Sequence, residues 1–369
     1  MEKREVIIVG AGPAGLSAAV EAATAGCGVL LIDENSKPGG QLFKQIHKFF
    51  GSQEHKAGIR GIDIGKRLLE EAENLHIEVW LDSEVCGIFD ANKVWVVRNK
   101  KETVLLQGDR IIIATGASEN AVHFPGWHLP GVMGAGAAQT MINIHRVLPG
   151  EKVLMVGSGN VGVIVSYQLL QAGAEVVGVI EAAPRLGGYG VHTAKVRRAG
   201  VPFFVSHVVA AAEGKDRVEK VRIVQVDPRW NPVPGTEKTL KADTICLATG
   251  LTPLTELAFL AGCESTYSPV LGGHVPWHNS AMRTSVRHIF IAGDISGVEE
   301  ASTAMEEGRM AGLQAAASLG HVDEADAMIR GKAIQARLDA LRSGLFGEKR
   351  KNAKESIFSA MGNSNNGAR

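Results

Sequence analysis

Two stretches of the chain are written to one plan. Residues 6–26 read VIIVGAGPAGLSAAVEAATAG, and residues 152–173 read KVLMVGSGNVGVIVSYQLLQAG. Each starts as a short apolar run, the pattern of a parallel strand buried on both faces. A GxGxxG loop and a helix of small and apolar residues follow. Each then continues into a second strand that ends in an acid, VLLID at Asp33 and VVGVIE at Glu181. A glycine pair comes six and seven positions after each acid, Gly39–Gly40 and Gly187–Gly188. Near the end of each copy stands one more matched pair, DRIIIATGAS at 109–118 and DTICLATGLT at 243–252. Such a duplication predicts an α/β protein with two parallel, doubly wound domains.

The loop residues have separate physical tasks. Gly10 permits a tight turn, Gly12 lets the backbone approach a pyrophosphate, and Gly15 lets the helix lie close on the sheet. With Pro13 and Ala14 they open a helix whose N-terminal N–H groups favour an anion. Asp33, with Glu34 behind it, stands where a carboxylate accepts hydrogen bonds from ribose hydroxyls. The first site is read as FAD for three reasons. AGD at 292–294 ends a strand with Asp294, placed for ribityl hydroxyls after Gly293, or else serving as a helix N-cap. The helix after it would aim its N–H groups at a reducible ring. Gly40 and Gln41, the turn Ala114–Thr115–Gly116, and Val85 complete the expected lining.

The second loop comprises Gly157, Gly159, Asn160, Val161 and Gly162, with Glu181 as the ribose acid. An acid there repels a 2′-phosphate, so NAD(H) is preferred over NADP. A structural adenine nucleotide fits the same pattern, and both readings stand. Arg185 is either a pyrophosphate or a surface arginine.

A chain of 369 residues exceeds one ordinary core. Basic and acidic residues number 39 each, which removes the electrostatic case for nucleic acid or a membrane surface. No apolar run is long enough to span a bilayer. MEKREVIIVG enters a strand directly with no signal region, so a cytoplasmic location is expected. The four cysteines, Cys27, Cys86, Cys246 and Cys263, form no CxxC pair and read as buried and reduced.

The expected organisation is residues 1–118 with 275–320 as the FAD-binding domain and 119–274 as an inserted NAD-type domain. Residues 321–369 form a helical tail with a disordered end, GNSNNGAR. EVCGIF, KVWVVRN and TVLLQ predict an antiparallel meander, and HIFIAGD a last strand of the first domain. In the tail, Ile334, Leu338, Leu341 and Leu345 make a helical stripe, for docking a partner or packing back. No metal-ligand or Ser–His–Asp grouping is visible. Lys44 and His47 are the candidates for a catalytic base, though each reads more readily as a packing or solvated residue. Glu306 and Glu307 are expected to face solvent.

The order GAGPAG, acid, GGQ, IIIATG, GSGNVG, LATG, FIAGD resembles the two-dinucleotide-domain flavoproteins of the glutathione- and thioredoxin-reductase-like superfamily, over residues 4–320. FPGWHLPGVMGAGAAQT at 124–140 resembles, more narrowly, the flavoprotein subunits of hydrogen-cyanide synthase, opine oxidase and related proline, hydroxyproline and sarcosine dehydrogenases. That resemblance implies a glutathione-reductase-like fold and an FAD-dependent subunit of a heteromeric enzyme acting on C–N bonds. It also implies two partners: a second flavoprotein subunit, and with it a small iron–sulfur subunit. The departures are specific. Residues 39–45 and 135–139 lack the redox cysteine pair of disulfide reductases, so disulfide reduction is not expected. The tail has no cysteine, so no Fe–S cluster is expected on this chain. The alternatives are a self-sufficient NADH-dependent ferredoxin- or quinone-type reductase and a nucleotide-stabilised scaffold subunit.

Overall fold

The computed structural model describes residues 1–49, 52–90, 92–344 and 347–367, with the backbone alone for 362–367. The chain forms two compact units, Met1–Ser118 with Thr252–Arg369, and Glu119–Leu251.

The first unit begins β1 (Glu2–Val9), α1 (Pro13–Thr24), β2 (Val29–Ile32). β1 and β2 run parallel with Val6 opposite Val29, and Val6–Val9 and all of β2 are buried. α2 (Gly61–Asn74) turns Ile64, Leu68 and Ala72 inward at four-residue spacing. Ile64 and Leu68 each contribute about 1.5–3 kcal/mol on full burial, and the Ala72 methyl about 0.8 kcal/mol. β3 (Glu78–Trp80) lies parallel to β2. β4 (Ser83–Phe89), β5 (Lys93–Arg98) and β6 (Glu102–Ile113) form the antiparallel meander. TVLLQ and DRIII prove to be one 12-residue strand, β6. Its first half pairs with β5, while Leu106–Ile113 pairs with β1. The pattern changes because only the last three residues, Ile111–Ile113, form a continuous buried run.

After β7 (Ala117–Glu119) the second unit follows with β8 (Val132–Gly134), α3 (Ala135–Thr140), β9 (Lys152–Val156) and α4 (Asn160–Ala172). Then come β10 (Glu175–Glu181), α5 (Gly190–Arg198) and β11 (Phe203–Val205). The three-stranded antiparallel sheet β12 (His207–Glu213), β13 (Lys220–Gln225), β14 (Lys238–Lys241) precedes β15 (Thr244–Leu247). The chain returns through β16 (Leu251–Pro253) to α6 (Glu256–Leu260), the hairpin β17 (Ser265–Ser268) and β18 (Gly273–Pro276), and β19 (Ile289–Ile291). Three helices end it, α7 (Ala301–Leu319), α8 (Glu324–Leu341) and α9 (Glu348–Gly367).

The parallel cores share one strand order. In the first unit it is β3-β2-β1-β6 with β19 beside β6, and in the second β11-β10-β9-β15-β8. The fifth strand comes last in the first unit and first in the second.

Four expectations are corrected. Residues 252–274 belong to the first unit, because Ala258, Ala261 and Cys263 are buried in its core. The tail is no separate element, since Ile334 and Leu338 are buried in that same core and the stripe packs back; Leu345 lies outside the described residues. The end is helical through Gly367, continuing from the part of α9 anchored by buried Lys354, Ile357 and Met361, although GNSNNG is a poor helix-forming stretch; residues 368–369 lie outside the described residues. Glu306 and Glu307 are 0% and 2% exposed rather than solvent-facing. Small residues let α7 sink against α1, where a Cβ on Gly308 or Gly312 would lie 2.1 or 2.4 Å from the Ala14 or Ala18 carbonyl oxygen. A helix buried on nearly every side leaves its acids no solvent face.

Candidate dinucleotide sites

In the first unit the loop between β1 and α1 is closed by backbone. Gly10 adopts φ +101° and donates its N–H to the Ile32 carbonyl at 2.8 Å. A Cβ on Gly10 would lie 2.3 Å from the Ala114 oxygen, and one on Gly15 would lie 1.8 Å from the Gly10 oxygen. Glycine is therefore obligatory at both positions. A Cβ on Gly12 or Gly116 would meet nothing within 4 Å. Gly12 is the N-cap of α1, Pro13 opens the helix, and no side chain caps it. Open space in front of an uncapped helix N-terminus fits the phosphates of a dinucleotide.

Asp33 is buried, and much of its accepting capacity serves the loop. Its Oδ2 accepts the Ala11 N–H at 2.6 Å, and its Oδ1 accepts Asn35 N–H and Nδ2 at 2.8 and 2.9 Å. With about four lone-pair positions on a carboxylate, acceptor capacity remains on Oδ2 for a ribose hydroxyl. Gly39 donates to the Ala11 carbonyl at 2.7 Å, which draws the exposed Gly40 and Gln41 up to the loop. A Cβ on Gly40 would lie 2.9 Å from the Gly12 Cα. Ala14 and Ala114 are buried under the loop, Thr115 Oγ1 donates to the Leu254 carbonyl at 2.7 Å, and Val85 sits half-buried at a bulge in β4. Glu34 is exposed.

Asp294 lies in a tight helical turn, Gly293–Ser296, and is not the N-cap of α7, which is Glu300. Its Oδ1 accepts the Glu299 N–H at 3.3 Å. Burial first, and then the Glu307 and Glu299 carboxylates, push the Asp294 carboxyl up to about 6. Gly293 packs on α1, its would-be Cβ 2.8 Å from the Ala14 methyl, so turn and loop belong to one assembly. Lys44 ends the short helical turn Gly40–Lys44. His47 lies beyond it, half-buried and stacked on Phe49 at 5.7 Å between centroids.

The second unit repeats the arrangement. Gly157 has φ +102° and donates to the Ile180 carbonyl at 2.8 Å. A Cβ on Gly157 would lie 2.2 Å from the Ala248 oxygen, and one on Gly162 would lie 2.1 Å from the Gly157 oxygen. Gly159 N-caps α4 with open space beside it, and Val161 is exposed. Glu181 Oε2 accepts the Ser158 N–H at 3.0 Å and the Ser158 hydroxyl at 2.6 Å, while Oε1 accepts Ala183 N–H at 2.9 Å. Ser158 Oγ in turn accepts the Gly187 N–H at 2.9 Å, and Asn160 Oδ1 the Tyr189 N–H at 2.9 Å. Arg185 and Arg197 line a cleft of about 510 Å³ with Pro184, Gly188, Gly190 and Thr193.

Three features escaped the sequence reading. The Ser158 hydroxyl is a brace, signalled only by its standing where the first loop has Ala11. Asn35 fixes Asp33. A buried ionic cluster of Glu299, Glu307, Arg342 and Lys354 underlies the Asp294 turn. Burial pushes the Cys27 thiol up to about 11 and the Cys246 thiol up to about 12. Among the described residues no group of three or more His, Cys, Asp or Glu could hold a metal, and no helix is long and apolar enough to cross a membrane.

Comparison with known proteins extends this geometry. The model of the pyridine nucleotide-disulphide oxidoreductase family matches residues 4–308. The hydrogen cyanide synthase subunit HcnB of Pseudomonas aeruginosa is 30% identical, over 91% of this chain and 76% of that one. An opine oxidase subunit of Rhizobium meliloti is 29% identical, over 86% of this chain and 63% of that one. In fold, L-proline dehydrogenase from P. horikoshii superposes with a TM-score of 0.68 at 22% identity, over 92% of this chain and 59% of that one. Thioredoxin reductase from T. acidophilum does so with 0.70 at 22% identity, over 86% and 99%. At this identity the two structures support the fold alone.

Proposed function

The chain belongs to the pyridine nucleotide-disulphide oxidoreductase family, and from that premise we propose that it is the FAD-carrying subunit of a heteromeric amine or imino-acid dehydrogenase. The substrate class is opine, proline, hydroxyproline or sarcosine-like. Electrons from a partner flavoprotein are relayed through this subunit to NAD or another acceptor, and an iron–sulfur cluster, where one takes part, resides on another chain.

The observation that carries the reading is the asymmetry between two otherwise matched units. Only the first unit follows its fifth strand with a carboxylate turn, Gly293–Ser296, packed against its own glycine loop. In the proposed site α1 offers N–H groups to the pyrophosphate, Asp33 Oδ2 takes a ribose hydroxyl, and Asp294 takes the ribityl chain. FAD, when bound, supplies the electron-pair chemistry; this chain's residues bind and orient it. The relatives' names support the heteromeric part, since they are called subunits of hydrogen cyanide synthase and opine oxidase. Disulfide reduction is set aside in this proposal. The described thiols Cys27 and Cys246 are disfavoured as thiolates, and no cysteine lies at 39–45 or 135–139.

A second reading, a self-sufficient NADH-dependent reductase, is favoured by one observation: the second loop retains the full brace of Glu181, Ser158 and Gly187. One experiment separates the two. The chain is purified alone and together with the proteins that co-purify, its released flavin identified, and NADH added without oxygen. Slow or absent bleaching of FAD by NADH in the isolated chain, with rapid bleaching by an amine or imino acid once the partner is present, is expected. Rapid bleaching by NADH with turnover on a dye in the isolated chain supports the reductase. Protein that neither retains nor takes up FAD overturns both.

A further inference from the structure

Resting on the FAD reading of the first site, we propose that Lys354, with Arg342, is a positioning residue of that site: the C-terminal helices hold the Asp294 turn in place through Glu307.

The connections run from the turn outward. Glu307 Oε2 accepts both the Gly293 N–H, at 3.0 Å, and the Ser296 hydroxyl, at 2.7 Å. One carboxylate oxygen thus pins the two ends of the turn that carries Asp294. Glu307 Oε1 accepts from Arg342, the C-cap of α8, and from Lys354 on α9. Lys354 Nζ also donates to Ser296 Oγ at 2.7 Å and lies 3.4 Å from Glu299 Oε2. Arg342 Nε spans both oxygens of Glu299 at 3.0 Å each, and the Glu299 N–H reaches Asp294. Lys354, Glu307 and Arg342 are only 1%, 2% and 4% exposed.

Charge arithmetic explains why the tail is needed. Glu299, between the turn and α7, and Glu307 on α7 are two buried anions, and the tail supplies the two cations. Burial alone would raise the Glu307 carboxyl, yet Lys354 and Arg342 beside it hold it below the ordinary carboxylate range. Without the lysine, Glu307 keeps a net buried charge next to Asp294 or takes a proton and loses its strength as a double acceptor. Two further titratable groups lie against α9: Asp339 pairs with Lys351 at 3.1 Å, away from Lys354, and His278 is fully buried, donates Nδ1–H to the Pro276 carbonyl at 2.8 Å and is pushed down to about 4, mainly by burial, so it adds no charge. Its ring stands edge-on to Phe358, and Ile357 packs with Leu271 and Val275, so an apolar seat delivers the lysine to the cluster.

The test is FAD affinity of the full-length chain, measured by flavin fluorescence on the folded fraction after flavin removal. Lys354→Met is expected to weaken FAD about tenfold, and Lys354→Arg to stay within about threefold of wild type, because the charge returns. In a Glu307→Gln background Lys354→Met should add less than about twofold, the signature of one pathway. Wild-type FAD affinity in folded Lys354→Met, or effects that multiply in the double variant, overturns the proposal. If Lys354→Met does not accumulate folded, Ser296→Ala replaces it. That change removes the hydroxyl between Lys354 and Glu307 without altering charge; about threefold weaker FAD is expected, and unchanged affinity overturns the proposal. Wild-type chain that takes up no FAD overturns the site's assignment instead.

Discussion

Set side by side, residues 10–41 and 157–189 meet one steric problem with nearly the same atoms. Gly10 and Gly157 turn at φ +101° and +102°, and each gives its N–H to the neighbouring strand at 2.8 Å. Asp33 and Glu181 each receive three hydrogen bonds from their own unit. The copies part in how the glycine pair is held and in the segment after the fifth strand. Gly39 is tied to the Ala11 carbonyl, whereas Gly187 is tied to the Ser158 side chain. After β19 comes Asp294 on a turn wired to three helices; after β8 comes α3, whose Gly136 and Ala137 N–H groups are taken by Glu119 at 2.6 and 3.2 Å. A glycine loop is thus a generic holder for a dinucleotide. The distinction between the units arises beside the loop, at the same C-terminal end of the sheet, where after the fifth strand one leaves a carboxylate on a braced turn and the other spends a carboxylate on its own helix.

The largest expected effects test the common part. Gly15→Ala and Gly162→Ala each force a Cβ to within 1.8 or 2.1 Å of a carbonyl oxygen. Each should cost about 3 kcal/mol in chemical denaturation. Unchanged stability in either would break the equivalence. Only Gly15→Ala should release flavin.

Asp33→Asn and Glu181→Gln come next. Each turns an amide group toward loop N–H donors that a carboxylate satisfied, at a cost of about 1–3 kcal/mol. Equal losses of stability with loss of flavin in Asp33→Asn alone would sharpen the assignment, and flavin loss in Glu181→Gln would reverse it.

Asp294 offers a test with opposite signs for stability and binding. Its carboxyl is raised to about 6, so the folded chain holds that proton more tightly than the unfolded one. The proton's stabilisation is present below the unfolded value and lost as pH rises through about 6. Asp294→Asn should therefore stabilise the flavin-free protein at pH 7 by up to about 2 kcal/mol, a gain that fades on acidification towards pH 4. Flavin affinity should fall in the same variant. Thermal midpoints across that pH range decide the matter, and a gain that grows on acidification would contradict the assignment.

Ser158→Ala is expected to be the mildest change, about 1 kcal/mol, because it removes one hydroxyl brace. It gives the second loop the residue that the first loop carries. A drop in the nucleotide affinity of the second unit, without change at the first, is the expected readout.

Much of the fold was legible because these constraints are local. A strand that turns into a helix within six residues requires glycine wherever a Cβ would strike a carbonyl, and those glycines stand in the sequence in both copies. The acids at 33 and 181 were legible for the same reason. The ionic cluster was not, since Lys354 meets Glu307 across 47 positions and no periodicity links them. Charged residues on a helix are exposed by default, which is why Glu306 and Glu307 were assigned to solvent. A usable signal existed in α7, where small residues on nearly every face leave no solvated side. Acids on such a helix must find cations, and Arg337, Arg342 and Lys354 all lie in the tail.

By itself the sequence determined the two loops, their acids and the parallel strand plan, because backbone sterics at a tight turn admit few residues and leave a fixed spacing. Only the tertiary structure decided where the units divide, that the tail belongs to the first, and which acids are buried. Those outcomes depend on desolvating apolar faces and charges that come together only after the chain has closed over hundreds of residues.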